Sequence, residues 1–162
     1  MPDPTDFDTA FDAAPEAVLR PLLTACLAVP RWVDALLAAR PHGSPAALVA
    51  AADAIALSDD EVRAALAGHP RLGEREPGSD PSARWSADEQ RDVEADDRLA
   101  AANRAYEERF GHRYLVCATG MTGADVRADL TARLANPPGV ELRVVARELA
   151  RIAALRLRKA WP

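Results

Sequence analysis

The sequence predicts an all-α fold, and three observations support this prediction. Ala and Leu supply much of the apolar content, and both rank high in helix propensity. Apolar residues recur at helical spacing, and several of these segments begin at a residue that favours a helix start. One segment, Tyr114–Ala118, resembles a strand, and a single strand cannot form a sheet. We expect a single-domain helical bundle over residues 1–162 with one irregular active-site loop.

Composition and charge exclude several classes of protein. The 49% hydrophobic and 28% charged residues are typical of a soluble globular chain, and the net charge of −5 argues against a nucleic-acid or anionic-membrane surface. No apolar run approaches the roughly 20 residues of a membrane span. Cys26 and Cys117 are too far apart for a CxxC motif and too few for a four-cysteine zinc site. The acidic N-terminus does not have the order of a signal peptide, so we expect a cytoplasmic protein.

Helix signals in the N-terminal half predict four helices. Residues 15–39 hold two consecutive helices, with Pro30 at their junction. A third helix begins at Ser44, which is an N-cap followed by proline at the first helical position. The fourth begins at Ser58 with the spacing of a capping box and ends at Gly68.

The C-terminal half begins with an irregular segment and returns to helix. Residues 69–85 contain five proline and glycine residues, and a loop of this length is more often functional or mobile than incidental. A long helix is predicted from residue 86 to residue 110, closed by Gly111. Two further helices are predicted over residues 122–135 and 138–160.

His69 is the first candidate for chemistry. It follows a helix end and precedes the rigid Pro70, so its imidazole is held in place and still reachable. An unperturbed pKa near 6.5 lets a histidine exchange protons at neutral pH. A purely structural histidine is the alternative interpretation. We assign no role to His42 or His112.

The segment WSADEQ, residues 85–90, is the second candidate. Ser86 and Glu89 have the spacing of a capping box, which is a structural interpretation. A helix that begins there would also offer free backbone N–H groups and the positive end of its dipole to an anionic ligand. Gln90 adds an amide that both donates and accepts hydrogen bonds. The two interpretations do not exclude each other.

Arg156 is the third candidate because it lies within the apolar stripe of the last predicted helix. Val145, Leu149 and Ile152 share its arc at about 100° per residue. A guanidinium there is paired with an internal carboxylate, reaches solvent, or binds a ligand anion. The sequence shows no metal-ligand cluster, glycine-rich phosphate loop or cofactor lysine motif, so cofactor-free chemistry on a small acidic molecule is expected.

Two motifs together carry a resemblance to a known family. GHPRLGE, residues 68–74, followed by SADEQ, residues 86–90, resembles the 2-oxo-4-hydroxy-4-carboxy-5-ureidoimidazoline (OHCU) decarboxylases of uric acid breakdown. The HPRLG and SxxEQ elements of that family are both present. Further similarity at NRAYEERFG, YLVCATG and ELARIAALRL extends over most of the chain.

The resemblance implies an all-α homodimer that decarboxylates a small anionic substrate to (S)-allantoin without a cofactor or metal. It implies that His69 transfers the proton and that Glu89 is its partner. It also implies substrate contacts, some of them through backbone groups. These substrate-binding residues are Pro70, Ser86, Ala87, Asp88, Gln90, Tyr114, Leu115, Val116, Cys117, Ala118 and Arg156.

One departure from the family pattern and two alternatives accompany this interpretation. Where the family often has FPF after the FG pair, residues 112–114 read HRY, which predicts a more polar pocket edge. A non-catalytic helical binding protein on the same fold is the first alternative, and the presence of His69, Glu89, Gln90 and Arg156 together argues against it. The second alternative is a helical thiol-based reductase or a small-acid decarboxylase of another family, which is disfavoured because Cys26 lies in a helical apolar pattern and Cys117 has no neighbouring cysteine.

Overall fold

The computed structural model describes residues 10–74, 80–94 and 96–161. These residues contain eight α-helices and no β-strand, so the predicted all-α class is confirmed. No helix among them is long and apolar enough to cross a bilayer. The helices are α1 Glu16–Cys26, α2 Pro30–Ala38, α3 Pro45–Asp53, α4 Asp59–Ala67, α5 Pro81–Glu89, α6 Asp97–Phe110, α7 Gly123–Arg133 and α8 Pro138–Ala160.

The chain divides into two compact units. The first unit falls within residues 1–58 and 150–162 and holds α1 to α3 with the C-terminal part of α8. The second unit, residues 59–149, holds α4 to α7 with the N-terminal part of α8. The motifs HPRLG and SxxEQ both belong to the second unit, whereas Arg156 belongs to the first. The single domain over residues 1–162 stays a prediction.

The first unit is built on α1 and α2, which pack against each other through fully buried apolar side chains. Leu19 and Leu23 of α1 and Trp32 of α2 are at most 2% exposed. The start of α3 follows the predicted signal, because the Ser44 hydroxyl accepts the Ala47 N–H at 3.1 Å. Local cap chemistry was therefore sufficient to place this helix.

The second unit has its core between α6 and α7. Leu99 and Tyr106 of α6 and Val126 and Leu130 of α7 are almost fully buried in one cluster. The helix α6 ends at Gly111, whose φ of 73° lies in the left-handed region that favours glycine, as the sequence predicted.

The predicted long helix over residues 86–110 is wrong, and so is its start at Ser86. Asp80 is the N-cap of α5, accepting the Ala83 N–H at 2.9 Å, and α5 already ends at Glu89. A second N-cap, Asp96, accepts the Leu99 N–H at 2.7 Å and begins α6. Two aspartate caps therefore divide the segment differently. Of the predicted irregular segment, residues 81–85 are helical and residues 75–79 lie outside the described part of the chain.

Candidate active site

The loop that carries His69 continues directly from the end of α4. The His69 N–H donates to the Leu66 carbonyl at 3.0 Å, so this residue extends the last turn of the helix. Its side chain is half-buried, in keeping with an imidazole that is held but reachable. Gly73, farther along the loop, has a φ of 88°, a conformation that other residues rarely adopt. The loop therefore runs from the end of α4, where His69 lies, to a turn at Gly73.

Two side chains from α6 and the segment after it hold the loop carbonyls. Arg113 Nη1 donates to the His69 carbonyl at 2.6 Å. The buried Asn103 donates through Nδ2 to the Leu72 carbonyl at 3.1 Å. Sequence reasoning assigned no role to either residue, because both contacts join residues more than thirty positions apart.

An ion pair holds the same loop from α6. Arg71 donates from Nε and Nη2 to the two carboxylate oxygens of Glu107, at 2.6 and 3.0 Å. The hydrogen bonds and charge of Glu107 raise the pKa of the Arg71 guanidinium. Beside this pair lies a cavity of about 290 Å³, lined by loop residues Arg71 to Glu74 and by α6 residues that include Asn103. The loop and α6 are therefore joined to each other, and together they line this cavity.

The end of α5 lies against the loop that follows His69. Gln90 is the C-cap of α5, directly after Glu89, and its Oε1 accepts the Gly73 N–H at 2.9 Å. Ser86 and Glu89 are 6% and 8% exposed, and their spacing of three places them on one buried face of the helix. The two motifs, HPRLG and SxxEQ, are therefore brought together in space. The structure gives Gln90 a role in holding the loop.

The expected helix N-terminus at this site is not present. Ser86 and Glu89 lie in the C-terminal half of α5 and Gln90 is its C-cap, so all three are at the negative end of the helix dipole. The Ser86–Glu89 capping box is accordingly wrong, and Ala87 and Asp88 lie in the last turn of α5. The Asp88 carboxylate forms an ion pair with Arg91. The N–H groups at the start of α5 lie at the opposite end of the helix from Ser86 and Glu89, so the N-terminus of α5 does not supply the anion site that the sequence predicted.

The segment Tyr114–Ala118 is buried without forming a strand. All five residues, including Val116 and Ala118, are at most 8% exposed. Its polar groups have partners inside the second unit. The Tyr114 hydroxyl donates to Asp129 at 2.5 Å, the Leu115 carbonyl accepts from Arg133 at 2.6 Å, and the Cys117 N–H donates to Glu148 at 2.8 Å. These contacts hold Tyr114–Ala118 in place. The resemblance implies that backbone groups of this segment contact the substrate.

Arg156 lies in the first unit and is 2% exposed. Its Nη1 donates to the Ala25 carbonyl at 3.0 Å. The sequence prediction that this arginine lies in an apolar stripe is confirmed by its burial. Its part in substrate binding, like that of Pro70, stays a prediction. Among the described residues, no group of three or more His, Cys, Asp and Glu side chains is arranged to hold a metal ion.

Known proteins resemble this chain in sequence and in fold. Residues 12–158 match the family model for OHCU decarboxylase. The uric acid degradation bifunctional protein TTL of Arabidopsis thaliana is 35% identical over 105 residues, which cover 60% of this chain and 32% of that protein. This chain thus spans about a third of the length of that curated relative.

Two crystal structures have a similar fold. One is OHCU decarboxylase in the presence of (S)-allantoin, with a TM-score of 0.71 and 23% identity over 87% of this chain and 97% of the other. The second is (S)-allantoin synthase, with a TM-score of 0.70 and 21% identity over 94% of this chain and 53% of the other. Since the family model extends over nearly the whole sequence, and both motifs meet in the second unit, the chain belongs to the OHCU decarboxylase family.

Proposed function

We propose that this protein is a carboxy-lyase that converts OHCU to (S)-allantoin in uric acid degradation, without a cofactor. Family membership supports the reaction class. The observation that carries the proposal is the hydrogen bond from Gly73 N–H to Gln90, which places the HPRLG loop beside the end of α5 that carries Glu89.

The substrate itself shows what the protein has to supply. Its carboxylate-bearing carbon lies next to a ring C=N carbon. When CO₂ leaves, the electron pair of the broken C–C bond forms a C=C bond to the neighbouring carbon, and the electron pair of the C=N bond moves onto the ring nitrogen, which takes up a proton. The hydroxyl group left on the decarboxylated carbon then loses its proton and becomes C=O, while the former C=N carbon, which carries the ureido group, is protonated on one face and gives a single enantiomer. The protein therefore has to orient the carboxylate, stabilise the developing charge and deliver one proton from a fixed direction.

We assign the proton transfer to His69 and its support to Glu89. The His69 main chain is fixed at its N–H by Leu66 and at its carbonyl by Arg113. Glu89 is buried on α5, the helix that borders this loop, and a carboxylate near an imidazole favours its charged, proton-donating form. We assign substrate binding to Pro70, Ser86, Ala87, Asp88, Gln90, Tyr114, Leu115, Val116, Cys117, Ala118 and Arg156. A cytoplasmic homodimer completes the proposal, and sedimentation velocity tests the dimer.

The first experiment measures the reaction and the histidine together. OHCU is generated fresh from urate by urate oxidase and hydroxyisourate hydrolase, and circular dichroism follows optically active allantoin. The wild-type protein should produce one enantiomer rapidly. His69→Asn should lower kcat by at least about 100-fold, the low end of what general acid–base catalysis contributes. His42→Asn is the matched control, because His42 lies in the first unit, where its Nε2 donates to the Leu36 carbonyl at 2.9 Å.

The outcomes separate the reaction from the residue assignment. If the wild-type protein gives only the slow racemic background, the decarboxylase proposal fails and a non-catalytic binding protein on this fold takes its place. If His69→Asn keeps near-full turnover while the wild type is active, the reaction stands and the role of His69 is wrong. Thermal unfolding of each variant shows whether a loss of rate reflects a loss of fold.

A further inference from the structure

We propose that Arg113 is a positioning residue for His69, an inference that rests on the proposed function. The guanidinium donates from Nη1 to the carbonyl of His69 at 2.6 Å, across 44 positions of sequence. A hydrogen bond from a charged donor is shorter and stronger than one between neutral groups. Among the side-chain contacts to the loop described above, this one reaches the main chain of the proton-transfer residue itself.

Arg113 is a firm anchor because the residue that follows it is fixed. Tyr114 is 2% exposed and donates its hydroxyl to Asp129 at 2.5 Å. On the other side, the His112 ring contacts the Arg113 carbonyl through Nδ1 at 3.1 Å. The main chain of Arg113 is therefore already held, so making the contact to the loop costs side-chain freedom and little further main-chain freedom.

The contact with Arg113 completes the restraint of the His69 backbone. The His69 N–H is bonded to Leu66, its carbonyl to Arg113, and the next residue, Pro70, has a fixed φ. The direction of the imidazole is then set by its own side-chain torsions. Displacing a reacting group by about 1 Å can cost about 100-fold in rate, even when the change is remote from the chemistry. Loss of the Arg113 contact should consequently lower kcat and leave substrate affinity nearly unchanged.

A cavity beside Arg113 allows a direct test of the guanidinium group. It has a volume of about 270 Å³. Its lining comprises Arg63, Leu66, Ala67, Gly111, His112 and Arg113. Shortening Arg113 to alanine would extend this space toward the His69 carbonyl. A guanidinium ion from solution would then have room to donate the missing hydrogen bond.

The experiment compares kcat and KM of the wild type, Arg113→Ala and Arg63→Ala in the (S)-allantoin assay. We expect Arg113→Ala to lower kcat about 10-fold with KM within about twofold, because a positioning contact is lost while the substrate contacts remain. Guanidinium chloride at non-denaturing concentrations should restore part of the kcat of Arg113→Ala, and ammonium chloride should not. Arg63 lines the same cavity and pairs with Asp60 at 3.5 Å, so Arg63→Ala should keep wild-type kcat and gain nothing from guanidinium.

The results distinguish this inference from the proposed function. An unchanged kcat in folded Arg113→Ala, with an active wild type and an inactive His69→Asn, overturns the positioning role and leaves the reaction in place. A lower kcat without guanidinium rescue also overturns it, since it would indicate a general structural effect. If Arg113→Ala does not fold, Arg113→Gln decides the matter through the same kcat and KM comparison. An inactive wild type overturns both proposals.

Discussion

A buried carboxylate, Glu141, joins α6, α7 and the segment before α8 through hydrogen bonds from three side chains. It is fully buried at the start of α8, where it accepts from Arg133 Nε at 2.8 Å and from Asn136 Nδ2 at 2.9 Å. It also accepts the hydroxyl of Tyr106. Burial opposes the charge on Arg133, but the hydrogen bond and charge of Glu141 outweigh it and raise the pKa of the guanidinium.

Replacing Glu141 by alanine should therefore destabilise the fold far more than a typical surface change. Arg133 would be left buried without this partner, and breaking a buried ion pair on one side costs about 3–5 kcal/mol. We expect a loss near 3 kcal/mol, the lower end, because Asp129 Oδ2 stays 3.4 Å from Arg133 Nη1. Urea unfolding of Glu141→Ala measures the change in the free energy of unfolding.

The matched variant for Glu141→Ala is the double replacement Glu141→Leu with Arg133→Met. It removes both charges and keeps apolar volume, so it should be less destabilising than the single replacement. A loss below about 1 kcal/mol in Glu141→Ala would contradict the prediction, since that is the range of an exposed pair.

At the scale of helices, the sequence was informative wherever one signal stood alone. Ser44 and Gly111 each placed a helix end because no competing residue lies nearby. Between residues 80 and 97 several aspartate and serine residues offer caps, and local spacing favoured Ser86 over Asp80. Which residue caps the helix depends on which helix face becomes buried. Ser86 and Glu89 both lie on the buried face of α5. Tertiary packing therefore determines the start of α5, which the local pattern alone does not.

The cap of α5 should be measurable through both stability and rate. Asp80→Ala removes the hydrogen bond to the Ala83 N–H and should lower the free energy of unfolding by about 1 kcal/mol, a typical N-cap effect. Because α5 has only nine residues and ends at Glu89, the same change should also lower kcat. Asp80→Asn keeps an N-cap acceptor and should retain most of both quantities. If Asp80→Ala and Asp80→Asn lose equal amounts of unfolding free energy and kcat, the effect comes from the negative charge of Asp80 and not from its N-cap hydrogen bond.

Contacts between distant segments account for the part of the site that sequence did not predict. The residues that chemistry would use, His69 and Glu89, have recognisable motifs around them. Asn103 begins the similar stretch NRAYEERFG and Arg113 lies in the HRY departure, but neither pattern indicates a role, because both side chains contact loop backbone that any sequence would offer. A periodicity gives the direction of a side chain relative to its own helix, and it gives no information on which loop lies opposite.

At the scale of the whole molecule, the sequence predicted the fold class and not the division into two units. Ala and Leu favour helix, and apolar residues recur at helical spacing, so propensity and pattern together predict the all-α class. The boundary between Leu149 and Ala150 falls inside α8, a helix of 23 residues. The helical pattern of α8 continues through Leu149 and Ala150 without a proline or glycine, so the local sequence does not indicate a boundary between two units there.

The second unit also contains both tyrosines of the chain, and their surroundings make the fold sensitive to high pH. Tyr106 and Tyr114 are at most 2% exposed. Burial raises the pKa of each phenol, and the hydrogen bonds to Glu141 and Asp129 raise it further. A folded pKa above the unfolded value means that the unfolded state releases its protons first as the pH rises.

Alkaline unfolding should consequently coincide with the appearance of tyrosinate. The stabilisation from the two phenols is fully present below the ordinary tyrosine pKa of 10.0 and is lost as the pH rises above it toward the folded values. We expect the urea midpoint to fall above that pH, and tyrosinate absorbance to rise together with the loss of helical circular dichroism. Tyr114→Phe leaves Tyr106 as a single reporter and should show the same coincidence with half the absorbance change. Tyrosinate formed at pH 10 while the helical signal is intact would show that the phenols are accessible in the folded protein, contrary to the buried hydrogen bonds to Glu141 and Asp129.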